Sequence, residues 1–497
     1  MDGSTKIQPA GKRGAPHRNG NNNGHTGDSA HADSDEVVLD RQLVVEQPQR
    51  IDPVFFEVGW EVCWQLGGIY TVLKTKAAAM QRRWGERYFL VGPYNPVTAA
   101  GEFEELPAPG LIERVFDALR DQGIGCHFGR WLVPGRPHVI LLDYRGRHHR
   151  LYEDKYLLFA DHGIPTPADD GELNDVIAFG FTVTEFFRIL KEHHPELPVL
   201  AQFHEWMAGV ALPRLAHLQI AVATVFTTHA TLLGRYLAGD NPHFYDHIAF
   251  FDADAEASKY GILSKHLIEK AAAHSCTVFT TVSQVTSFEA EKLLHRVPDA
   301  ILPNGIDVKR YEAPHELQHL HGVFKDRIHQ FTMGHFFPSY SFDLDNTIYL
   351  FTAGRYEYRN KGIDMYVEAL YRLNQRLRHD ADAPTVVAFI IARAQVRHVN
   401  VDVLENQARL DELARFCDKA KDAIGKKIFM ASASGRQMGR GELIDESVQI
   451  ALKRITAAFK RFKQPHIVTH DLVDDAKDPT LQHIRGRHML NFSGDPV

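Results

Sequence analysis

The sequence predicts an α/β protein built from doubly wound parallel sheets. Three observations carry this: short apolar runs alternate with stretches of helical periodicity from residue 53, Gly and Pro punctuate the runs, and the pattern restarts near residue 348. Val54-Phe55-Phe56 reads as the first buried strand. Gly67-Gly68 then opens a helix with Ile69, Val72, Leu73 and Ala77 at helical spacing. Tyr88 to Val91, stopped by Gly92-Pro93, and Val139 to Leu142 are the next strands. Val176, Ile177, Val183, Phe186, Phe187 and Leu190 trace a helix stripe that ends before Pro195. Val199 to Ala201, Val222 to Phe226 and Thr277 to Val282 follow as strands, and a helix runs through Leu293-Leu294. In the second unit, Tyr349 to Thr352 is a strand, Lys361 to Leu377 a helix and Val386 to Ile391 a strand. Beyond residue 400 the apolar positions Val448, Ile450, Ala451, Ile455 and Phe459 are helical and no strands alternate with them. The expected organisation is a disordered tail over 1–48, a first domain over 51–345, the start of a second over 346–399, and a mainly helical insertion over 400–497.

Composition excludes several classes. A net charge of −7 without a long basic run argues against nucleic acid or an anionic membrane as the main partner. Cys63, Cys126, Cys276 and Cys417 lie far apart, which excludes a disulfide framework and a cysteine zinc cage and fits a reducing cytoplasm. No apolar stretch reaches the ~18 residues of a membrane span, and the first residues lack the apolar core of a signal peptide.

Three motifs stand where a parallel sheet binds its ligands, beyond strand carboxyl ends. Gly67-Gly68 lets a phosphate approach the backbone at a helix N-terminus, although a tight strand-to-helix turn would use the same residues. Phe203-His204-Glu205-Trp206 places a His and a Glu at one crevice, or else a satisfied core His beside a solvated Glu. Gly354-Arg355-Tyr356-Glu357-Tyr358-Arg359-Asn360-Lys361-Gly362 offers a guanidinium fork and an ammonium point charge, suited to a diphosphate, or a solvated basic loop. The matching placement of Gly67-Gly68 and Arg355/Lys361 on two similar sheets is what a cleft holding a diphosphate needs.

Two further motifs compete. His315-Glu316-Leu317-Gln318-His319 matches H-E-x-x-H, but it lies between the two α/β units and lacks an evident third zinc ligand beyond nearby His321. Asp343-Leu344-Asp345-Asn346-Thr347 has the D-x-D-x-T form of haloacid-dehalogenase phosphatases, with Asp474-Asp475 as a later acidic pair, yet it precedes a strand instead of following one.

Longer strings resemble one known family. Phe56-Glu57, Trp60-Glu61-Val62, Gly67 to Leu73, Phe203 to Gly209, Thr227 to Tyr236, Ala271 to Ser275, Leu302-Pro303-Asn304-Gly305 and Ala353 to Glu357 are similar to the glycogen synthases of glycosyltransferase family 3, the animal and fungal type with bacterial members. The resemblance covers about 51–490 and implies a GT-B fold, two Rossmann-like domains around a cleft. It implies retaining transfer of glucose from UDP-glucose to the non-reducing 4-OH of an α-1,4-glucan, with no metal and no cofactor. By matching position, Gly67 and Gly68 would lie against the donor diphosphate, His204 by the reacting sugar, and Arg355 and Lys361 on the leaving phosphate. Insertions like 400–462 mediate tetramers in that family. Gln65 departs from the basic residue usual before the Gly-Gly pair. The family continues past a stretch like Ile467 to His470 into an acidic pair of E-x7-E form, whereas this sequence stops at Val497. The expectation is a fragment or a shortened relative whose second domain is incomplete, with background turnover of UDP-glucose by these residues alone. The alternative reading is a non-catalytic relative that binds glucan or sister subunits.

Overall fold

The computed structural model describes residues 52–308, 312, 314–437, 439, 442–461 and 463–497, so the expected tail over 1–48 lies outside the described residues. Nine strands form one sheet: β1 (Val54–Gly59), β2 (Tyr88–Pro93), β3 (Phe103–Glu105), β4 (Gly125–Trp131), β5 (His138–Asp143), β6 (Val199–His204), β7 (Ala223–Thr228), β8 (Val278–Thr281) and β9 (Ala300–Ile301). Their order is β3-β4-β5-β2-β1-β6-β7-β8-β9. All pairings from β5 to β9 are parallel.

The central strands are buried on both faces, which is why they read as unbroken apolar runs. On one face Phe56, Val58, Phe89, Val91, Ile140, Leu142 and Phe203 pack with Phe179, Val183, Phe186 and Phe187 of the helix Gly171–His193. Asp170 caps that helix by accepting a hydrogen bond from Leu173 N at 3.0 Å. On the other face Phe55, Tyr88, Leu90, Val139 and Leu141 meet Leu73 and Ala77 of the helix Gly68–Trp84. The long helix also passes close to a second helical segment. A Cβ at Gly180 would press into Val210 and stand 3.2 Å from Ala211 N. Gly180→Ala is therefore expected to destabilise the chain by about 1–3 kcal/mol, as overpacking does. A thermal or urea midpoint equal to wild type would show that this contact has slack.

Beyond the sheet the chain forms a parallel pair, β10 (Thr347–Gly354) and β11 (Thr385–Ala392), joined through the helix Ile363–Leu377. That helix buries Ile363, Val367 and Leu370. Then β12 (Val396–Val399) pairs antiparallel with β13 (His470–Leu472). Between them run the helices Val401–Ala433 and Glu446–Phe459. The helix Pro314–Phe336 packs on the first of these, with Gln407 Nε2 donating to Phe331 O at 2.8 Å. No helix among the described residues is long and apolar enough to cross a membrane.

The α/β class and the expected strands are present, with three differences. The sheet is mixed, because β3-β4 and β4-β5 are antiparallel. Gly125-Cys126-His127-Phe128-Gly129-Arg130-Trp131 carries two glycines and no clean apolar run, so its sequence pattern gave no strand. Next, β1 runs on to Gly59, so Gly67-Gly68 lie across a loop from its end instead of at it. Finally, the helices beyond residue 400 are closed at their base by the β12–β13 ribbon, too short for a pattern to reveal.

Candidate active site

Parallel pairing sets the site. Gly59 of β1, His204 of β6 and Thr227 of β7 share one register level at the carboxyl ends of three neighbouring strands. Glu57 lies two residues back on β1, opposite Gln202, so its side chain points to the same face as that of His204. Both are buried. His204 Nε2 is 2.7 Å from Glu57 Oε1, and His204 Nδ1 is 3.0 Å from His229 Nε2. Lys76, from the helix above this face, pairs with Glu57 Oε1, and the Tyr88 hydroxyl donates to Oε2. The result is a chain of polar contacts from Lys76 through Glu57 and His204 to His229. Burial alone would raise the Glu57 carboxyl; Lys76 and His204 more than offset this and hold it well below the usual range. Burial lowers His204, with Lys76 acting in the same direction. Burial and neighbouring His204 and Lys76 push His229 down to about 3. Both rings are thus held neutral near pH 7.

A second set of carboxylates lies beside this chain. Glu205 adopts a positive φ of 63°, a strained backbone for a residue with a side chain, directly after β6. Its Oε1 accepts from His229 N at 3.0 Å and lies 3.8 Å from Arg235. Burial raises its pKa to about 6 despite Arg235. Glu269 accepts from Thr228 Oγ1 at 2.8 Å and from Leu232 N at 2.9 Å. Burial and the nearby Glu205 push it up to about 8. In the folded chain Glu269 keeps a proton that the unfolded chain, at an ordinary 4.5, has released. Its contribution to stability is fully present below about 4.5 and is lost as pH rises through about 8. Glu269→Gln mimics the protonated form. It is expected to leave the melting temperature near pH 5 unchanged and to raise it by several degrees at about pH 8.5. An equal effect at both pH values, followed by thermal unfolding, would contradict a proton held on Glu269.

The Gly67-Gly68 turn is already partly occupied. Glu61 Oε2 accepts from Gly67 N at 2.8 Å and Tyr70 N at 2.9 Å, so a carboxylate of the chain caps this helix. Gly68 and Ile69 amides donate to no such carboxylate among the described residues, and a Cβ on Gly68 would meet open space. Gln65 is exposed. Arg355 and Lys361 are exposed on the loop that follows β10. Arg355 Nη2 pairs with Glu357 Oε1 at 3.1 Å. The loop rests on the helix Leu232–Asp240, with Asn360 Nδ2 donating to Arg235 O at 3.1 Å and Arg359 Nη1 to Asp240 O at 3.3 Å. It therefore stands by the helix that follows β7. No hydrogen bond or ion pair among the described residues joins Arg355 or Lys361 to Gly67, Gly68 or His204.

Among the described residues the competing motifs form no cluster of metal-ligating side chains. Glu316 and His319 are exposed on the helix Pro314–Phe336, and the His315 side chain lies outside the described residues. Asp343 Oδ1 accepts from Asp345 N at 2.9 Å in a turn before β10. Among the described residues Asp161, His162 and His217 are close enough to share a metal ion, but Asp161 is already paired with Arg214.

Sequence reasoning singled out His204 but gave no role to Glu57, Lys76, Tyr88, His229 or Glu269. One signal was available: Glu57 is a lone carboxylate inside the run Val54 to Gly59. These features define a doubly wound, Rossmann-like α/β protein whose ionisable groups gather at the carboxyl ends of its strands. A sequence model described as glycogen synthase matches residues 57–497. The chain belongs to the glycogen synthase family. It is 45% identical over 449 residues to the glycogen [starch] synthase of Neurospora crassa, covering 89% of this chain and 64% of that protein. It is 43% identical to isoform 1 of Saccharomyces cerevisiae, covering 89% and 66%, and 39% identical to the liver form of Homo sapiens, covering 92% and 65%. The chain thus spans 64–66% of the length of these relatives. Among solved structures, the catalytic domain of starch synthase IV from Arabidopsis thaliana aligns over 72% of this chain and 76% of its own, at 13% identity and a TM-score of 0.40.

Proposed function

We propose that this chain supplies the acceptor-side domain and the donor clamp of a retaining glucosyltransferase. The protein moves glucose from UDP-glucose to the non-reducing 4-OH of an α-1,4-glucan. The observation that carries this reading is the convergence at one strand edge of His204, His229 and Glu205, with the Arg355–Lys361 loop resting on the helix that follows β7. Family membership supplies the reaction class. In this reading the open amides of Gly68 and Ile69 and the cations Arg355 and Lys361 take the diphosphate, which gains negative charge as the sugar leaves. His204 orders the sugar side of the cleft. The reaction needs no metal where side chains supply that charge.

The helices Val401–Ala433 and Glu446–Phe459 expose Ile428, Phe429, Met430, Ile450 and Leu452. We read these exposed apolar side chains as contacts of a homotetramer assembled through the insertion, in a cytoplasmic enzyme. The test is transfer of labelled glucose from UDP-glucose to maltoheptaose by the protein purified from its native cells. Extension at the non-reducing end with α-linkage is expected. Absence of both transfer and UDP release would overturn the proposal.

A further inference from the structure

We propose that His162, His217 and Asp161 form a surface site for a zinc-type divalent cation. The site rests neither on the glucosyltransferase reading nor on the Arg355–Lys361 loop.

Two helices end together here, Leu151–His162 and Ala211–His217. Their last residues are the two histidines, whose ring centroids lie 5.7 Å apart with the planes at 74°. Asp161 precedes His162 in the first helix. One ligand atom from each of the three residues lies within 4.8 Å of the others. The helix Ala211–His217 follows β6 and hands the chain on to β7. The cluster therefore sits at the amino ends of these strands, at the opposite end of the sheet from His204. The last carbonyls of the longer helix favour a cation at this point.

The ring nitrogens have no other use. His162 Nε2 is buried without a hydrogen-bond partner among the described residues. His217 Nε2 lies 3.6 Å from Asp161 Oδ2, too long for a hydrogen bond. Zinc bonds of about 2.0–2.2 Å in a tetrahedron set neighbouring ligand atoms about 3.3 Å apart. The His217–Asp161 pair already stands close to that spacing, and no pair in the cluster needs to close by more than about 1.5 Å. Arg214 pairs with Asp161 through Oδ2. A carboxylate carries about four lone-pair sites, and among the described residues no group donates to Oδ1. The guanidinium thus orients the carboxylate, as the outer partners of zinc ligands do, and leaves it room for a metal. Two imidazoles with one carboxylate form a nitrogen-rich set suited to zinc, whereas magnesium and calcium ask for oxygens throughout. The His217 side chain is 44% exposed, so the cation has an entry path and the fourth position is open to water.

The experiment strips the protein of metal with a chelator and titrates it with Zn²⁺ by calorimetry. His162→Ala and His217→Ala are each expected to weaken the tightest zinc binding by at least about tenfold, since losing a ligand costs no less than losing an outer partner. Asp161→Asn should weaken it in the same direction. His319→Ala removes a ring of the H-E-x-x-H motif and should leave the affinity unchanged. Zinc should also raise the melting temperature of wild type, because it binds the folded chain, and should give no such rise in the His162→Ala/His217→Ala double variant. These substitutions lie at helix ends near the surface, and a melt without metal checks that each variant is folded. Equal zinc affinity in wild type and the double variant would overturn the proposal. So would the absence of saturable zinc binding by wild type, or a loss of affinity in His319→Ala as large as in His162→Ala.

Discussion

Arg355→Ala is expected to lower kcat/KM for UDP-glucose by roughly 10²–10⁴, the scale of losing a preorganised charge at a developing anion. The side chain lies on the loop after the carboxyl end of β10 and is 56% exposed, with Glu357 as its ion-pair partner. An exposed pair of this kind adds little stability. The loop is held by other groups: Lys361 N donates to Glu357 O at 3.0 Å, Gly362 supplies a φ of 66°, and Asn360 reaches Arg235 O. Its shape therefore survives loss of the guanidinium, and the effect falls on turnover. Lys361→Ala should act in the same direction. Steady-state kinetics of the native protein, with a thermal melt as control, separate the two effects. Near-wild-type turnover would remove Arg355 from the site.

Glu57→Leu should give the largest loss of stability, roughly 3–5 kcal/mol, the usual result of stripping a buried ion of its partner. Glu57 is fully buried and gathers Lys76, Tyr88 and His204. Leucine leaves the ammonium, a hydroxyl and a ring N–H facing an apolar group. The Lys76 side chain is 29% exposed, so it can turn partly to solvent, which sets the lower end of that range. Glu57→Leu combined with Lys76→Met should regain part of the loss, since the unpaired charge goes with it. Chemical denaturation of Glu57→Leu, Lys76→Met and the double variant measures this. A single variant with an unchanged midpoint would contradict the buried network.

The parts of the site that were legible are those written locally. His204 follows an apolar run, and Gly354 with Arg355 follows another, so each announces a strand end and its loop. The His204–His229 contact spans 25 residues and the His204–Glu57 contact 147, and both exist only because β6 lies between β1 and β7. Strand order is set by crossovers packing on a shared core, which periodicity does not encode. Glu61 illustrates the same limit. Gly67-Gly68 correctly marked a helix start, but the carboxylate that accepts from its first amides comes from the intervening loop. The antiparallel edge at β3 and β4 escaped notice because β3 is short and mostly exposed and β4 is interrupted by two glycines.

The central claim is that a nucleotide diphosphate sits between the start of the helix Gly68–Trp84 and the Arg355–Lys361 loop, with the sugar side toward His204 and His229. A structure of the protein soaked with UDP tests it directly. The account predicts diphosphate oxygens within hydrogen-bond reach of Gly68 N and of the Arg355 or Lys361 side chain, with neither histidine touching phosphate. A diphosphate bound elsewhere, or one seated on His229, would contradict it.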